Sequence, residues 1–184
     1  MTKPLIFVFT GTSGSGRKTV ARKTGEKLGW LAVRSCTTRT PRQADKPDDD
    51  YHYLSVEQFD ELERNNSFVQ TVQIDKHKYG VLNKELEKLL ESGRNVYLIL
   101  NREGASAMKK LYGDRVVRIF IYVDKITVRE RLESKGTSYS VVENYLDHYT
   151  EEVTYRKMCE HVVENVELAR TVNLICDMVK VHEE

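Results

Sequence analysis

The stretch Gly11-Thr12-Ser13-Gly14-Ser15-Gly16-Arg17-Lys18-Thr19 decides the fold of this chain. It follows the apolar run 5–9, which predicts a strand, and it opens residues 18–28, whose pattern predicts a helix that ends at Gly29. Small residues between a strand and a helix let successive backbone N–H groups surround a phosphate at the helix N-terminus. A simple tight turn would need neither three glycines at this spacing nor the two cations that follow them. The stretch therefore predicts a phosphate-binding loop.

Two positions of this loop differ from the usual pattern. A lysine normally follows the last glycine and a Mg²⁺-binding Ser or Thr comes next, whereas this chain has Arg17 and Lys18. The planar guanidinium is larger than an ammonium, so it is expected to approach the phosphates along a different line. Thr19 is then the hydroxyl expected on the Mg²⁺-phosphate side. The loop predicts nucleotide binding and leaves phosphoryl transfer open.

The rest of the chain alternates between strand and helix patterns. Residues 94–100 and 116–123 are apolar and β-rich, and helical patterns follow them at 102–111 and 126–134. Asp124 is placed to act as the N-cap of the second of these helices. Strands that alternate with helices indicate an α/β fold with a central parallel sheet flanked by helices.

One part of the chain departs from this alternation. Residues 35–81 contain a charged, proline-containing stretch, a helix pattern near 56–65 and short strand-like pieces around 67–74. This composition predicts a lobe inserted into the α/β core, which then consists of residues 1–34 and 82–184.

Composition excludes several classes of function. The 184 residues carry 29 Lys and Arg against 28 Asp and Glu, so no global field attracts nucleic acid or an anionic membrane. No apolar run approaches the roughly 20 residues of a membrane span. Cys36, Cys159 and Cys176 are far apart in the sequence and form no CxxC pair, which indicates reduced thiols. A cytoplasmic protein is expected.

A second cationic segment lies at Ser35-Cys36-Thr37-Thr38-Arg39-Thr40-Pro41-Arg42. Its two guanidinium groups and several hydroxyls are suited to bidentate binding of a phosphate, and Tyr51 and Tyr79 could complete a cage. Alone, such a segment could be an exposed loop with solvated charges. Together with the phosphate-binding loop, it favours a second phosphate site.

These motifs, in this order, resemble the guanylate kinase family. The phosphate-binding loop is followed by Ser-x-Thr-Thr-Arg-x-Pro-Arg, by Asp-Tyr-x-Tyr and by Tyr79-Gly80, so the resemblance covers nearly the whole chain. It implies a P-loop NTPase fold in which residues 35–81 bind a nucleoside monophosphate and residues 134–150 form a helical lid. It also implies ATP with Mg²⁺ as the phosphoryl donor and GMP or dGMP as the default acceptor.

The resemblance assigns residues to both substrates. The acceptor monophosphate is held by Ser35, Arg39, Arg42, Tyr51 and Tyr79. The ATP phosphates are contacted by Gly11, Ser13, Gly14, Ser15, Gly16, Arg17, Lys18 and Thr19, by Arg131 and Lys135 of the lid, and by Asn165, which matches an asparagine near the adenine. Catalysis is assigned to Arg17, Arg39 and Arg131.

Several base-reading and catalytic positions depart from the family pattern. The glutamate that reads guanine is Gln70 here, a hydroxyl residue is Val81, and the Asp-x-Asp motif ends in Asn101. Another lid arginine aligns with Tyr145. An amide offers one acceptor and one donor group where a carboxylate offers only acceptors, so another base edge could be read.

Two hypotheses remain open from the sequence. The first is an ATP-dependent nucleoside-monophosphate kinase. The second is a catalytically weak or inactive module that binds a nucleotide or a phosphorylated partner through the phosphate cage.

Overall fold

The computed structural model describes residues 3–41 and 51–183. Arg42 and the charged stretch 43–50, for which the sequence predicts a phosphate contact and a loop, lie outside the described residues. In chain order the elements are β1 (Ile6–Gly11), α1 (Arg17–Leu28), β2 (Leu31–Ala32), β3 (Ser35–Thr37), β4 (Tyr51–Tyr53), α2 (Val56–Arg64), β5 (Phe68–Ile74), β6 (His77–Leu82), α3 (Asn83–Glu91), β7 (Val96–Ile99), α4 (Arg102–Tyr112), β8 (Val116–Tyr122), α5 (Lys125–Ser134), α6 (Tyr139–Thr154), β9 (His161–Glu164) and α7 (Leu168–Met178).

The main sheet contains five strands in the order β2-β7-β1-β8-β9, and every neighbouring pair is parallel. Strand β1 lies at its centre, with Ile6 opposite Val96 of β7 and Val116 of β8. The predicted α/β fold with a central parallel sheet is therefore confirmed.

Helices cover both faces of the main sheet. The side chains of β1 alternate between the two faces and are apolar on each, so each face packs against helices. Phe7 and Phe9 pack in one core cluster with residues of α1 and α7, and the Phe7 ring stacks on Trp30 with centroids 3.8 Å apart. Ile6 and Val8 pack in a second cluster with residues of α3 and α4. These two cores hold the phosphate-binding loop at the end of β1.

A second sheet is formed by strands from the segment between β2 and α3, in the order β4-β3-β6-β5. Strand β3 pairs in parallel with β4, which places Ser35 opposite Tyr51, and antiparallel with β6, which places Thr37 opposite Tyr79. Because side chains alternate along a strand, these residues lie on one face of the sheet. That face is directed towards the end of the main sheet.

Helices α5 and α6 pack on each other through a third, smaller apolar cluster. The predicted N-cap of α5 is confirmed, because the Thr127 N–H donates to Asp124 Oδ1 at 2.8 Å. The C-terminal half of α6 returns towards the phosphate-binding loop, where it contributes two adjacent glutamates, Glu151 and Glu152.

Two further expectations can be compared with the described residues. The three cysteines are free thiols, and burial raises the pKa of Cys36 and of Cys159 to about 12. Within residues 3–41 and 51–183, no helix combines the length and the apolar character that crossing a bilayer requires.

Candidate functional site

A cleft of about 600 Å³ lies between the carboxyl ends of the main-sheet strands and the second sheet. Carboxyl ends of parallel strands are the usual ligand-binding edge of an α/β fold. The cleft brings together nine residues that the sequence predicts for the site, namely Gly11, Ser13, Arg17, Ser35, Arg39, Tyr51, Gln70, Tyr79 and Asn101.

Close contacts around the phosphate-binding loop require glycine at two positions. Gly11 has φ +145°, and a Cβ there would lie 1.8 Å from the carbonyl oxygen of Ile121. Gly16 has φ +79°, and a Cβ there would lie 2.8 Å from Asn165 Nδ2. The neighbouring Thr12 N–H donates to the Ile121 carbonyl at 3.1 Å, which anchors the loop to β8.

Arginine and asparagine side chains support the loop from both sides. Arg17 Nη1 donates to the Gly11 carbonyl oxygen at 3.0 Å, so its guanidinium folds back over the loop. Arg131 Nη2 donates to the carbonyl oxygen of Asn165 at 2.7 Å, and Asn165 Nδ2 donates to the Ser15 carbonyl oxygen at 2.8 Å. Asn165 is buried and therefore acts through the loop backbone.

The other residues predicted for the ATP phosphates are more dispersed. Gly14 and Thr19 are exposed, and Lys135 is exposed at the C-cap of α5. None of the three lines the central cleft. Ser15 is buried and its hydroxyl has no hydrogen-bond partner among the described residues. Lys18 is half-buried and lines a smaller pocket beside the cleft.

The predicted monophosphate cage is assembled on the second sheet. Arg39 is buried, and its guanidinium carbon lies 5.4 Å from the ring centroid of Tyr51 and 5.9 Å from that of Tyr53. The Tyr51 and Tyr79 rings meet edge to face with centroids 6.0 Å apart. Sequence reasoning did not single out Tyr53, although its spacing of two from Tyr51 places both rings on one strand face.

The side chains of Gln70 and Asn101 both lie near Gly104, in the first turn of α4. Asn101 Oδ1 accepts from the Gly104 N–H at 2.9 Å, and Asn101 Nδ2 donates to Glu103 Oε2 at 2.8 Å. Gln70 Oε1 is buried and has no hydrogen-bond partner among the described residues. Glu103, which the sequence analysis did not select, returns a carboxylate to this part of the cleft.

The structure corrects the placement of Val81. Its side chain is fully buried in the second core cluster, together with Ile6, Val8 and Leu98, and it does not line the cleft. The reason is that β6 runs from the second sheet onto the main core, so its last residues pack under the cleft. Val81 lies opposite Gln70 in the β5–β6 pairing, but its side chain packs in the core and does not face the cleft.

Two glutamates of α6 connect this helix to the rest of the site. Glu152 accepts from the Ser13 N–H at 2.9 Å and from the Ser13 hydroxyl at 2.8 Å. Glu151 accepts from Arg102, whose Nε also donates to Glu103 at 2.7 Å. Hydrogen bonds to Glu103 and then to Glu151 raise the pKa of the Arg102 guanidinium further above its usual value. These contacts have no direct signal in the sequence, since charges on a helix usually face solvent.

The residues present do not supply a ligand set for Mg²⁺. The position that usually carries the metal-binding hydroxyl is Lys18, and the end of β7 carries the apolar Ile99. Thr19 does not line the cleft. Asn101 uses both amide atoms in other contacts. Within the described part of the chain, no group of three or more His, Cys, Asp or Glu is arranged to hold a metal.

Comparisons with known proteins identify the family and the fold of the chain. The guanylate kinase family model matches residues 1–182. The guanylate kinase of Porphyromonas gingivalis is 32% identical over 180 residues, which is 95% of each chain, and that of Fusobacterium nucleatum is 27% identical over 95% of each. The crystal structure of guanylate kinase from Anaplasma phagocytophilum shares the fold, with a TM-score of 0.81 at 23% identity, over 99% of this chain and 87% of that one.

A family match over almost the whole chain, joined to a P-loop fold and a relative above 30% identity, shows that the chain belongs to the guanylate kinase family of P-loop nucleoside-monophosphate kinases.

Proposed function

We propose that the protein transfers the γ-phosphoryl group of ATP to a nucleoside monophosphate, with GMP or dGMP as the preferred acceptor. The observation that carries the proposal is that one cleft contains both the phosphate-binding loop, with Arg17, and the arginine–tyrosine cage around Arg39. Phosphoryl transfer requires a donor and an acceptor phosphate held in line, and positioning with charge stabilisation provides most of the catalysis.

Residues of the cleft, together with Arg131 outside it, would bind the two phosphates. Arg39 would bind the acceptor phosphate with its guanidinium fork, and Tyr51 and Tyr79 would orient it with their hydroxyl groups. Arg17 would neutralise charge that develops on the transferred group. Arg131 would stabilise the donor side, since its hydrogen bonds already hold the loop backbone.

We propose that closure brings these groups together. In this proposal residues 35–81 move as the acceptor lobe, residues 134–150 move as the lid, and the core of 1–34 and 82–184 carries the loop. Closure excludes water and strengthens the electrostatic interactions inside the site.

The acceptor base would be read by a changed set of groups. Guanine presents an N1–H and an N2 amino group as donors, and the Gln70 amide provides one acceptor for them. Glu103 lines the same cleft and adds a carboxylate. Guanine therefore remains the best match, through Gln70 and Glu103 in place of the family's glutamate and aspartate.

The same chemistry suggests where the protein works. ATP and nucleoside monophosphates are small cytoplasmic metabolites, and the three cysteines of the chain are free thiols. We therefore propose a cytoplasmic enzyme.

The test is a coupled assay of ATP consumption with GMP, dGMP, AMP, UMP, CMP and IMP as acceptors. Turnover is expected with GMP and dGMP, and Arg39→Ala should reduce kcat/KM by about 10³ because an arginine contact to phosphate is lost. Arg64→Ala, an exposed arginine on α2 outside the cleft, is the matched control and should retain activity. If no acceptor supports ATP consumption, the proposal fails.

A second candidate is a binding module that captures a nucleotide or a phosphorylated partner without turnover. The contact of Glu152 with Ser13 favours it, because a carboxylate already occupies part of the phosphate-binding loop. This function predicts that a monophosphate or a phosphopeptide raises the Tm of the parent but not of Arg39→Ala. Turnover in the assay above would exclude it.

A further inference from the structure

The substitutions around the phosphate-binding loop affect the positions with which a P-loop protein binds its divalent metal. Such proteins use the Ser or Thr that follows the loop lysine, and a carboxylate from a nearby strand. This chain has Lys18 at the first position and Ile99 at the end of β7, the strand next to β1. A cation and an apolar side chain thus replace two oxygen ligands.

Lys18 lies directly beside the cleft. It is in the first turn of α1, and it lines a small pocket together with Ser35, Tyr51 and Ile99. Those three residues also line the central cleft, so the pocket and the cleft share a wall. The Lys18 ammonium lies 5.8 Å from the centroid of the Tyr51 ring, which also packs against Arg39. Lys18 is therefore located between the loop and the acceptor cage.

Three glutamates elsewhere in the cleft already have hydrogen-bond or ion-pair partners. Glu152 uses both oxygens on Ser13, and Glu103 uses its oxygens on Arg102 and Asn101. Glu151 is paired with Arg102. Each of these three glutamates would have to give up an existing partner before it could bind a cation.

We propose that the Lys18 ammonium is a phosphate ligand of this site and supplies charge that a divalent metal supplies in other P-loop proteins. Lysine binds phosphate as a compact point charge, and at a helix N-terminus it adds to the positive end of the dipole. Nucleotide binding by this chain is then independent of divalent metal and dependent on Lys18. The inference rests on the proposed function in that it takes the ligand of the cleft to be a nucleotide.

The test measures binding and does not require turnover. ATP and GMP are titrated separately into the full chain by calorimetry, in buffer with EDTA and in buffer with MgCl₂. The parent should bind each ligand with a Kd that differs by less than about threefold between the two buffers, whereas Lys18→Met should weaken binding in EDTA by about tenfold or more. Lys18→Ser should bind weakly in EDTA and recover in MgCl₂. Lys23→Met, an exposed lysine on the same helix, is the matched control and should behave like the parent.

Two results would overturn the inference: a parent that binds ATP only with Mg²⁺, or a Lys18→Met variant that binds as tightly as Lys23→Met. If a Lys18 variant fails to fold, the comparison of buffers for the parent still decides whether nucleotide binding is independent of divalent metal. Failure of the proposed function gives a different result. If nucleotide binds without metal and depends on Lys18, but no turnover is seen, the inference is supported and the proposed kinase activity is refuted. If the parent turns over substrate and Lys18→Met binds nucleotide as tightly as the parent, the kinase activity is supported and the inference is refuted.

Discussion

Glu152→Gln tests whether the α6 carboxylate competes with nucleotide for the phosphate-binding loop. In the structure its two oxygens accept from the Ser13 N–H and hydroxyl at 2.9 and 2.8 Å, and the side chain is half-buried. A hydrogen bond to a charged group contributes about 1.5–3 kcal/mol net, but glutamine keeps one acceptor oxygen and the contact is partly solvated. We expect the substitution to weaken the contact by about 1–2 kcal/mol. If ATP must displace the carboxylate, its affinity should rise by about 5–30-fold.

The assay combines ATP titration with thermal unfolding of the same samples. Without ligand, Glu152→Gln should lower the Tm by about 2–8 °C, since 1 kcal/mol shifts the Tm of a chain of this size by about 2–4 °C. At saturating ATP the Tm values of the variant and the parent should converge, because the contact is absent from both bound states. Glu130→Gln, an exposed glutamate on α5, serves as the control. An unchanged or lower ATP affinity in Glu152→Gln would show that the carboxylate supports the loop and does not compete with phosphate.

Three further predictions concern the base, the loop and pH. Glu103→Gln should raise the KM for GMP by about tenfold but leave that for IMP, which lacks the N2 amino group, nearly unchanged; equal effects on both would contradict base reading by Glu103. Gly16→Ala should cost about 1–3 kcal/mol in denaturant unfolding and weaken ATP binding, because φ is +79° and the new Cβ would meet the Asn165 amide; a stable, fully binding variant would contradict this account of the loop. Burial and then the neighbouring His182 lower the pKa of His161, so the unfolded chain takes up the proton first and stability should fall as pH drops below about 6.5. Urea midpoints at pH 7.5 and 5.5 measure the loss, and His182→Gln should reduce it.

The main fold could be predicted because its signals are local. The apolar strand, the glycine-rich turn and the following helix are adjacent in the sequence, and burial of β1 on both faces needs only its run of apolar residues. The N-cap at Asp124 is likewise a contact over three residues. The shared face of Ser35 and Tyr51 follows from strand alternation once the two strands are paired.

The contacts that complete the site could not be predicted in the same way. Ser13 and Glu152 are 139 residues apart, and a glutamate on an amphipathic helix has the same local pattern whether it meets solvent or a loop. The family resemblance placed Val81 among the base-reading positions because it replaces the hydroxyl residue that usually follows Tyr79-Gly80. Its burial depends on how β6 passes onto the main core, which periodicity within one strand does not encode.

The altered residues around the loop are best understood as one coupled set, and a double-mutant cycle on Lys18 and Ile99 tests that. Both side chains line the same small pocket, so an aspartate at position 99 would pair with the Lys18 ammonium and reduce the charge available to phosphate. Ile99→Asp alone should therefore weaken ATP binding in EDTA, as should Lys18→Ser alone. Together they restore a hydroxyl and a carboxylate, so the double variant should bind ATP tightly in MgCl₂ and poorly in EDTA. The coupling energy in MgCl₂ should then be about 1 kcal/mol or more, since residues that share one function are not additive. If the effects of the two single substitutions on ATP affinity simply add in both buffers, Lys18 and Ile99 act independently of each other. The hypothesis that together they replace a metal site is then refuted.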